Sequence, residues 1–149
     1  MQLTWSLKKF EDLSPVELYK ILSLRQEVFG LEQNCLYLDT DGKDFDSFHL
    51  MGFAEKGFLA AYARIVSPGI SYEEVSIGRV VSSPKYRRTG LGKLLMEESL
   101  KRIEEIYGKA PVRIGAQKYL LEFYKSFGFI PIGEDYLEDG IAHKIMLRP

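Results

Sequence analysis

The feature that most constrains the fold is a change of period in the middle of the chain. Residues 75–81 are rich in β-branched side chains and read as a buried strand, which Pro84 ends. Residues 90–107 repeat with a helical period instead. Leu91, Leu94 and Leu95 open an apolar face, and Met96, Leu100, Ile103 and Tyr107 continue it in steps of four, three and four. Between the two lies Ser83-Pro84-Lys85-Tyr86-Arg87-Arg88-Thr89-Gly90-Leu91-Gly92-Lys93. A strand that passes through such a loop into a long helix belongs to a mixed α/β domain. Free main-chain N–H groups and the positive end of the helix dipole then meet at one point, which suits an anion. Gly90 and Gly92 let a phosphate approach the backbone, and Arg87, Arg88 and Lys93 add positive charge. The competing reading is a glycine-rich turn with solvated basic residues.

The rest of the chain fits around this crossover. Residues 3–7 alternate apolar and polar and read as a strand. Ser14-Pro15-Val16-Glu17 is a capping box with Pro at the first helical position. The helix it opens carries Leu18, Ile21, Leu22, Val28 and Phe29 on one face, with Gly30 as its expected stop. Residues 39–46 read as a polar, solvated acidic loop. Residues 47–55 and 58–66 read as strands of a hairpin joined through Lys56-Gly57. A short strand is expected at 111–115 and a short helix at 119–127, closed by Gly128. Strands at 129–132 and 141–147 follow, with Asp139-Gly140 as a tight turn before the last. No repeat, linker or low-complexity tract divides residues 1–149, so a single domain is expected.

Charge and cysteine content narrow the function. Twenty Lys and Arg against 21 Asp and Glu give a net charge of −1, which argues against nucleic acid as a partner. The lone cysteine, Cys35, can form no intrachain disulfide and suits a reducing compartment. It reads as a structural thiol. Zinc spacing is missing, and Asp39-x-Asp41-Gly42-x-Asp44 departs from a calcium loop, so no metal is expected. No stretch reads as a signal peptide or a membrane span, so the expectation is a cytoplasmic protein without a membrane partner.

The loop discriminates among phosphate compounds. A Walker A loop needs Gly at 87 and Ser or Thr at 94, where the chain has Arg87 and Leu94. A dinucleotide fingerprint from Gly90 needs a small residue at 95, where Leu95 stands. Arg-x-x-Gly-x-Gly fits, as Arg87-Arg88-Thr89-Gly90-Leu91-Gly92. It resembles the acetyl-CoA signature of the GNAT N-acetyltransferases. A second segment, Phe123-Tyr124-Lys125-Ser126-Phe127-Gly128-Phe129, resembles that superfamily's second motif, with Gln117 where many members have Asn. Further matches along nearly the whole chain resemble the ElaA branch. They include Leu24-Arg25, Val28-Phe29, Glu32-Gln33-Asn34-Cys35, Ile77-Gly78-Arg79-Val80 and Glu138-Asp139-Gly140-Ile141, with His143 after it. Ala142 stands where that branch usually has Pro.

The resemblance implies a GNAT fold: a mixed, mainly antiparallel sheet flanked by helices, with a splayed central pair of parallel strands. It implies acetyl-CoA as acetyl donor. Residues 88–93 (Arg88, Thr89, Gly90, Leu91, Gly92 and Lys93), with Arg87 and Gln117, would hold the cofactor. Val80, Val81 and Ser82 would pair with its pantetheine arm as an added strand. Tyr124 would be the general acid beside the sulfur. The acceptor would be a small-molecule or peptide amine; a homodimer stays open. A module that binds CoA without turnover, or an acyltransferase for longer chains, are the alternatives.

The chemistry asks for a base as well. An alkylamine with a pKa of about 10.4 is neutral in roughly one molecule per thousand at pH 7. Some family members carry a Glu on the strand before the second motif, but Val112 stands there. The candidates are His143 and His49, then Glu32 and Asp139; a histidine titrates in the useful range. The developing oxyanion needs an N–H donor, which the strand around residues 80–82 can supply. Arg25 interrupts an apolar stripe and Arg79 lies in the buried strand. Both are expected to pair with Glu32 or an Asp rather than to bind substrate.

Overall fold

The computed structural model describes residues 2–149. Among the described residues, seven strands form two sheets. Strands β1 (Thr4–Lys9), β2 (Ser47–Phe53), β3 (Leu59–Val66) and β4 (Ser76–Ser82) make an antiparallel sheet in chain order. Strands β5 (Val112–Gln117), β6 (Ile130–Glu138) and β7 (Ile141–Arg148) make a second, ordered β5-β7-β6. The sheets meet where β4 approaches β5: Val75 and Val112 form a parallel bridge, and the Arg113 N–H donates to the Val75 carbonyl at 3.1 Å. Beyond that point the two edge strands share no ladder. They are the splayed parallel pair expected from the sequence.

Helices cover both faces. Helix α1 (Pro15–Arg25) opens on the expected capping box, with Ser14 Oγ accepting from the Glu17 N–H at 3.0 Å and Glu17 returning the bond. Ile21, Leu24 and Val28 pack with Met51, Leu59, Tyr62 and Val81 on one side of the sheet. Helix α2 (Leu91–Tyr107) covers the other side through Leu91, Leu95, Met96 and Ile103. Strand β3 is buried along its whole length because both faces are covered. Leu95 and Met96 are fully enclosed, so truncating either to Ala costs about 2–5 kcal/mol.

Several expectations are corrected. The first helix does not stop at Gly30: the chain continues as a π-turn, Gln26–Glu32. Leu94 is not a core residue but is 38% exposed. The final two strands are longer than expected. β6 runs on to Glu138 because it bulges between Ile132 and Tyr136, so that its far half still pairs with β7. Asp139 and Gly140, at φ 52° and 76°, form the tight turn that the dipeptide foretells. The acidic loop at 39–46 is not simply solvated, because Asp39, Asp41 and Asp44 pair with the buried Arg25 and Arg64.

Candidate active site

Where β4 and β5 separate, a cleft of about 1050 Å³ opens. Val80, Val81, Ser82, Arg87, Gln117, Tyr124 and His143 all line it. The sequence-predicted site residues on β4, β5, α3 (Leu121–Lys125) and β7 therefore converge on one space.

The wall formed by β4 is irregular in a useful way. Arg64 pairs with Gly78 and Tyr62 with Val81, so Arg79 and Val80 together oppose Ala63. Arg79 takes φ 49°, uncommon for a residue with a side chain. This bulge takes main-chain groups out of the β3 ladder, and the outer edge of β4 has no strand partner beyond the Val75 bridge. An extended arm can pair there.

The acidic loop holds the bulge. Arg25 pairs with Asp39 and Asp44, Arg64 with Asp44 and Asp41, and Arg79 with Asp41 and Asp39. The three arginines and three aspartates alternate in a closed ring. Arg25 and Arg64 are almost fully buried, and the ring neutralises each charge that burial would otherwise penalise. Burial pushes the Asp41 carboxyl up. The hydrogen bonds and charge of Arg64 more than offset this, and with Arg79 hold it well below the usual carboxylate range. The expected structural role of Arg25 and Arg79 thus takes aspartates, not Glu32, as partners. Arg64 was not singled out in the sequence. The available signal was a charge in the middle of the apolar run 59–66.

Past Arg87, which lines the cleft, the loop turns into α2; residues 88–93, expected to hold the cofactor, follow outside the cleft's lining. A short 3-10 turn, Pro84–Tyr86, precedes Arg87. Arg88 at φ 63° and Gly90 at φ 80° bend the chain so that Gly90 is the N-cap of α2, and no side chain caps that end. The first-turn N–H groups of Leu91, Gly92 and Lys93 are therefore left for another acceptor. Thr89 donates its hydroxyl to the Tyr86 carbonyl and stabilises the turn. Arg87 is turned towards Glu32, which it bonds through both terminal nitrogens. Its charge is partly spent there, and Glu32 is engaged rather than poised as a base.

Tyr124 is 8% exposed, and burial pushes its phenol up to about 12. It is a proton carrier at neutral pH. The two histidines separate cleanly. His49 is completely buried outside the cleft, with Nδ1 2.7 Å from the Tyr62 hydroxyl and Nε2 2.9 Å from the Asp44 carbonyl. Both nitrogens are occupied, and burial lowers its affinity for a proton. The structure thus leaves His49 no access to an acceptor, contrary to the expectation that it could line the same pocket. His143 does line the cleft, in register with Gln117 of β5 and Tyr136 of β6. Asp139 lines it too, beside Glu138 and Tyr72, neither of which the sequence marks as a base. Cys35 also faces the cleft, half-buried.

Residues 43–147 match the family model of the acetyltransferase (GNAT) domain. The chain belongs to the GNAT acetyltransferase family. Within it, protein ElaA of Escherichia coli K12 is 43% identical over 146 residues, covering 97% of this chain and 95% of that protein. A UPF0039 protein of Synechocystis is 41% identical over 99% of this chain and 96% of its own. Among solved structures, an acyl-CoA N-acyltransferase from Pseudomonas aeruginosa superposes with a TM-score of 0.94 at 43% identity, over 99% of this chain and all of that one. The Escherichia coli ElaA crystal structure gives 0.91 at 41% identity, with the same coverage. The chain is thus an ElaA-like GNAT protein with the acyl-CoA N-acyltransferase fold. No helix among the described residues is long and apolar enough to cross a membrane.

Proposed function

We propose that this GNAT protein transfers an acetyl group from acetyl-CoA to a primary amine by direct attack on the thioester. The observation that carries the reading is the uncapped N-terminus of α2, with Arg88 and Gly90 in left-handed conformations, directly after Arg87, which lines the cleft between β4 and β5. The pyrophosphate docks on the amides of residues 88–93, with Arg88 and Lys93 adding charge. The pantetheine arm runs along the free edge of β4 at Val80, Val81 and Ser82, near Gln117. The bulge supplies the N–H donor for the oxyanion.

In the transfer, the amine nitrogen forms a bond to the thioester carbon and the C–S bond breaks. Nε2 of His143 takes the proton from the amine. Nδ1 of that ring donates to the Ile141 carbonyl at 2.7 Å, which leaves Nε2 with a free lone pair. Tyr124 gives its hydroxyl proton to the departing thiolate. Water in the cleft then returns a proton from His143 to Tyr124. The test is titration of the protein with acetyl-CoA by calorimetry, followed by thiol release with a panel of amines. Binding without thiol release for any amine would favour a module that only holds CoA. Faster release from longer acyl-CoA donors would reassign the donor.

A further inference from the structure

Two hydrogen-bond acceptors face each other at the hairpin end of the cleft. His143 is more than nine-tenths buried, and its Nδ1 is committed to a carbonyl, which can only accept. Nε2 of the neutral ring is therefore a bare lone pair. Among the described residues it has no hydrogen-bond donor, and it lies 3.4 Å from Oε2 of Glu138. With the ring neutral both atoms accept, and an N–H donor that caps the pair from the cleft serves both; with a proton on Nε2 the two form an ion pair.

The charges around the cleft show what kind of donor. Glu32 is neutralised by Arg87, and Asp39 and Asp41 by the arginine ring. Lower on the same hairpin, Asp135 is held by Lys118 and Lys144. Among the described residues, Glu138 and Asp139 have no Lys or Arg partner, and both line the cleft. The β6–β7 end of the cleft is therefore acidic. The other groups against His143 do not reverse that sign. The Tyr136 ring lies 5.6 Å away, centroid to centroid, and its hydroxyl meets that of Tyr72 over Gly115, a position that a side chain on 115 would fill. Burial keeps both phenols protonated. Gln117, opposite on β5, is uncharged, and Lys144 is turned to Asp135.

We propose that the acceptor enters as an ammonium ion that caps Nε2 of His143 and the Glu138 carboxylate, and that Glu138 with Asp139 selects aliphatic amines that carry no carboxylate beside the amino group. The proposal rests on the acyl-transfer reading above and names its substrate class. An ammonium group brings three N–H donors and satisfies both acceptors at once. The ammonium gives up two protons in all: the first passes to Nε2 and on to bulk water before attack, the second passes to Nε2 as the C–N bond forms and returns by water to Tyr124, and at each transfer the imidazolium stands beside the Glu138 carboxylate. A free amino acid would bring its own carboxylate against Glu138 and Asp139 and be repelled. Glu138 is thus a specificity-determining residue.

The test compares leucine with leucinamide, which differ in that carboxylate and in the amine basicity it brings, in wild type and Glu138→Gln; the basicity difference is the same for both proteins and cancels when their ratios are compared. In wild type, kcat/KM with acetyl-CoA should favour leucinamide by about tenfold or more; in the variant that ratio should fall by about threefold or more. A merely structural role for Glu138 would lower both rates and leave the ratio alone. An unchanged ratio overturns the acceptor proposal and leaves acyl transfer intact. If neither compound is acetylated, the same ratio is read from calorimetric binding to protein saturated with coenzyme A; equal affinities, or no binding of either, overturn it. Failure to bind coenzyme A at all removes the acyl-transfer reading, and the acceptor proposal falls with it.

Discussion

Arg79 grips Asp39 twice across forty residues of chain, Nε to Oδ1 and Nη2 to the main-chain oxygen, each at 2.8 Å. The grip fastens a left-handed residue at the bulge of β4 to a loop that is otherwise on the surface. Strain of that kind persists only where surrounding bonds over-determine it. The wall of the cleft is in this way supported from the ring of arginines and aspartates, not only from its own sheet.

The ring should dominate local stability. Asp44 bridges Arg25 and Arg64, at 2.8 and 3.1 Å, in a nearly dry site. Asp44→Asn leaves both guanidinium groups with one carboxylate each and should cost about 3 kcal/mol. The measurement is the urea midpoint of the variant against wild type, at unchanged slope.

The same ring sets an acid limit. The Asp41 and Asp44 carboxyls are held below their unfolded value, so their stabilisation is complete above that value and is lost as pH falls through the folded one. Stability should be level above about pH 5 and fall steadily below about pH 4. Asp41→Asn should flatten that slope, as read from melting temperature against pH.

The helix end can be tested without harming the fold. A Cβ at Gly92 meets only the Phe123 ring, at 3.8 Å, which is ordinary contact. Gly92→Glu should therefore keep the wild-type melting temperature and lose acetyl-CoA binding, because its charge opposes the pyrophosphate. Calorimetry reads both halves: a melting transition that stays, and a binding isotherm that vanishes.

Tyr124→Phe removes one hydroxyl from a buried ring. Turnover should drop by roughly 10²- to 10⁴-fold with cofactor affinity little changed. Because burial pushes this phenol up to about 12, the wild-type rate should show no loss from its ionisation up to about pH 10. A turnover number unchanged in the variant, with chemistry rate-limiting, would remove Tyr124 from the reaction.

The histidines give opposite expectations. His143→Gln should abolish the acidic limb of the kcat/KM profile and hardly move the melting temperature. His49→Gln should do the reverse, since it breaks buried bonds to Tyr62 and Asp44 and touches no part of the cleft. A pH profile and a melt on each variant separate the two.

What was legible in the sequence was local. The capping box at Ser14, the turn at Asp139-Gly140 and the loop into α2 each depend on residues a few positions apart, so their chemistry is written in order along the chain. The ring was not legible. Asp39, Asp41 and Asp44 look like a solvated run until α1, β3 and β4 bring Arg25, Arg64 and Arg79 to them. The bulge at Arg79 depends on the register with β3, which no period in the sequence records. His49 and His143 carry the same chemistry on the page; only burial and partners distinguish them.

The central claim is that the cleft joins an acetyl group to an amine. The most direct measurement incubates the protein with acetyl-CoA and leucinamide, follows free thiol, and weighs the amine by mass spectrometry. Acetyl transfer gives thiol release in step with the appearance of N-acetylated leucinamide, both abolished by Gly92→Glu and slowed by Tyr124→Phe. Thiol release at the same rate with and without any amine, and no acetylated product, would contradict it.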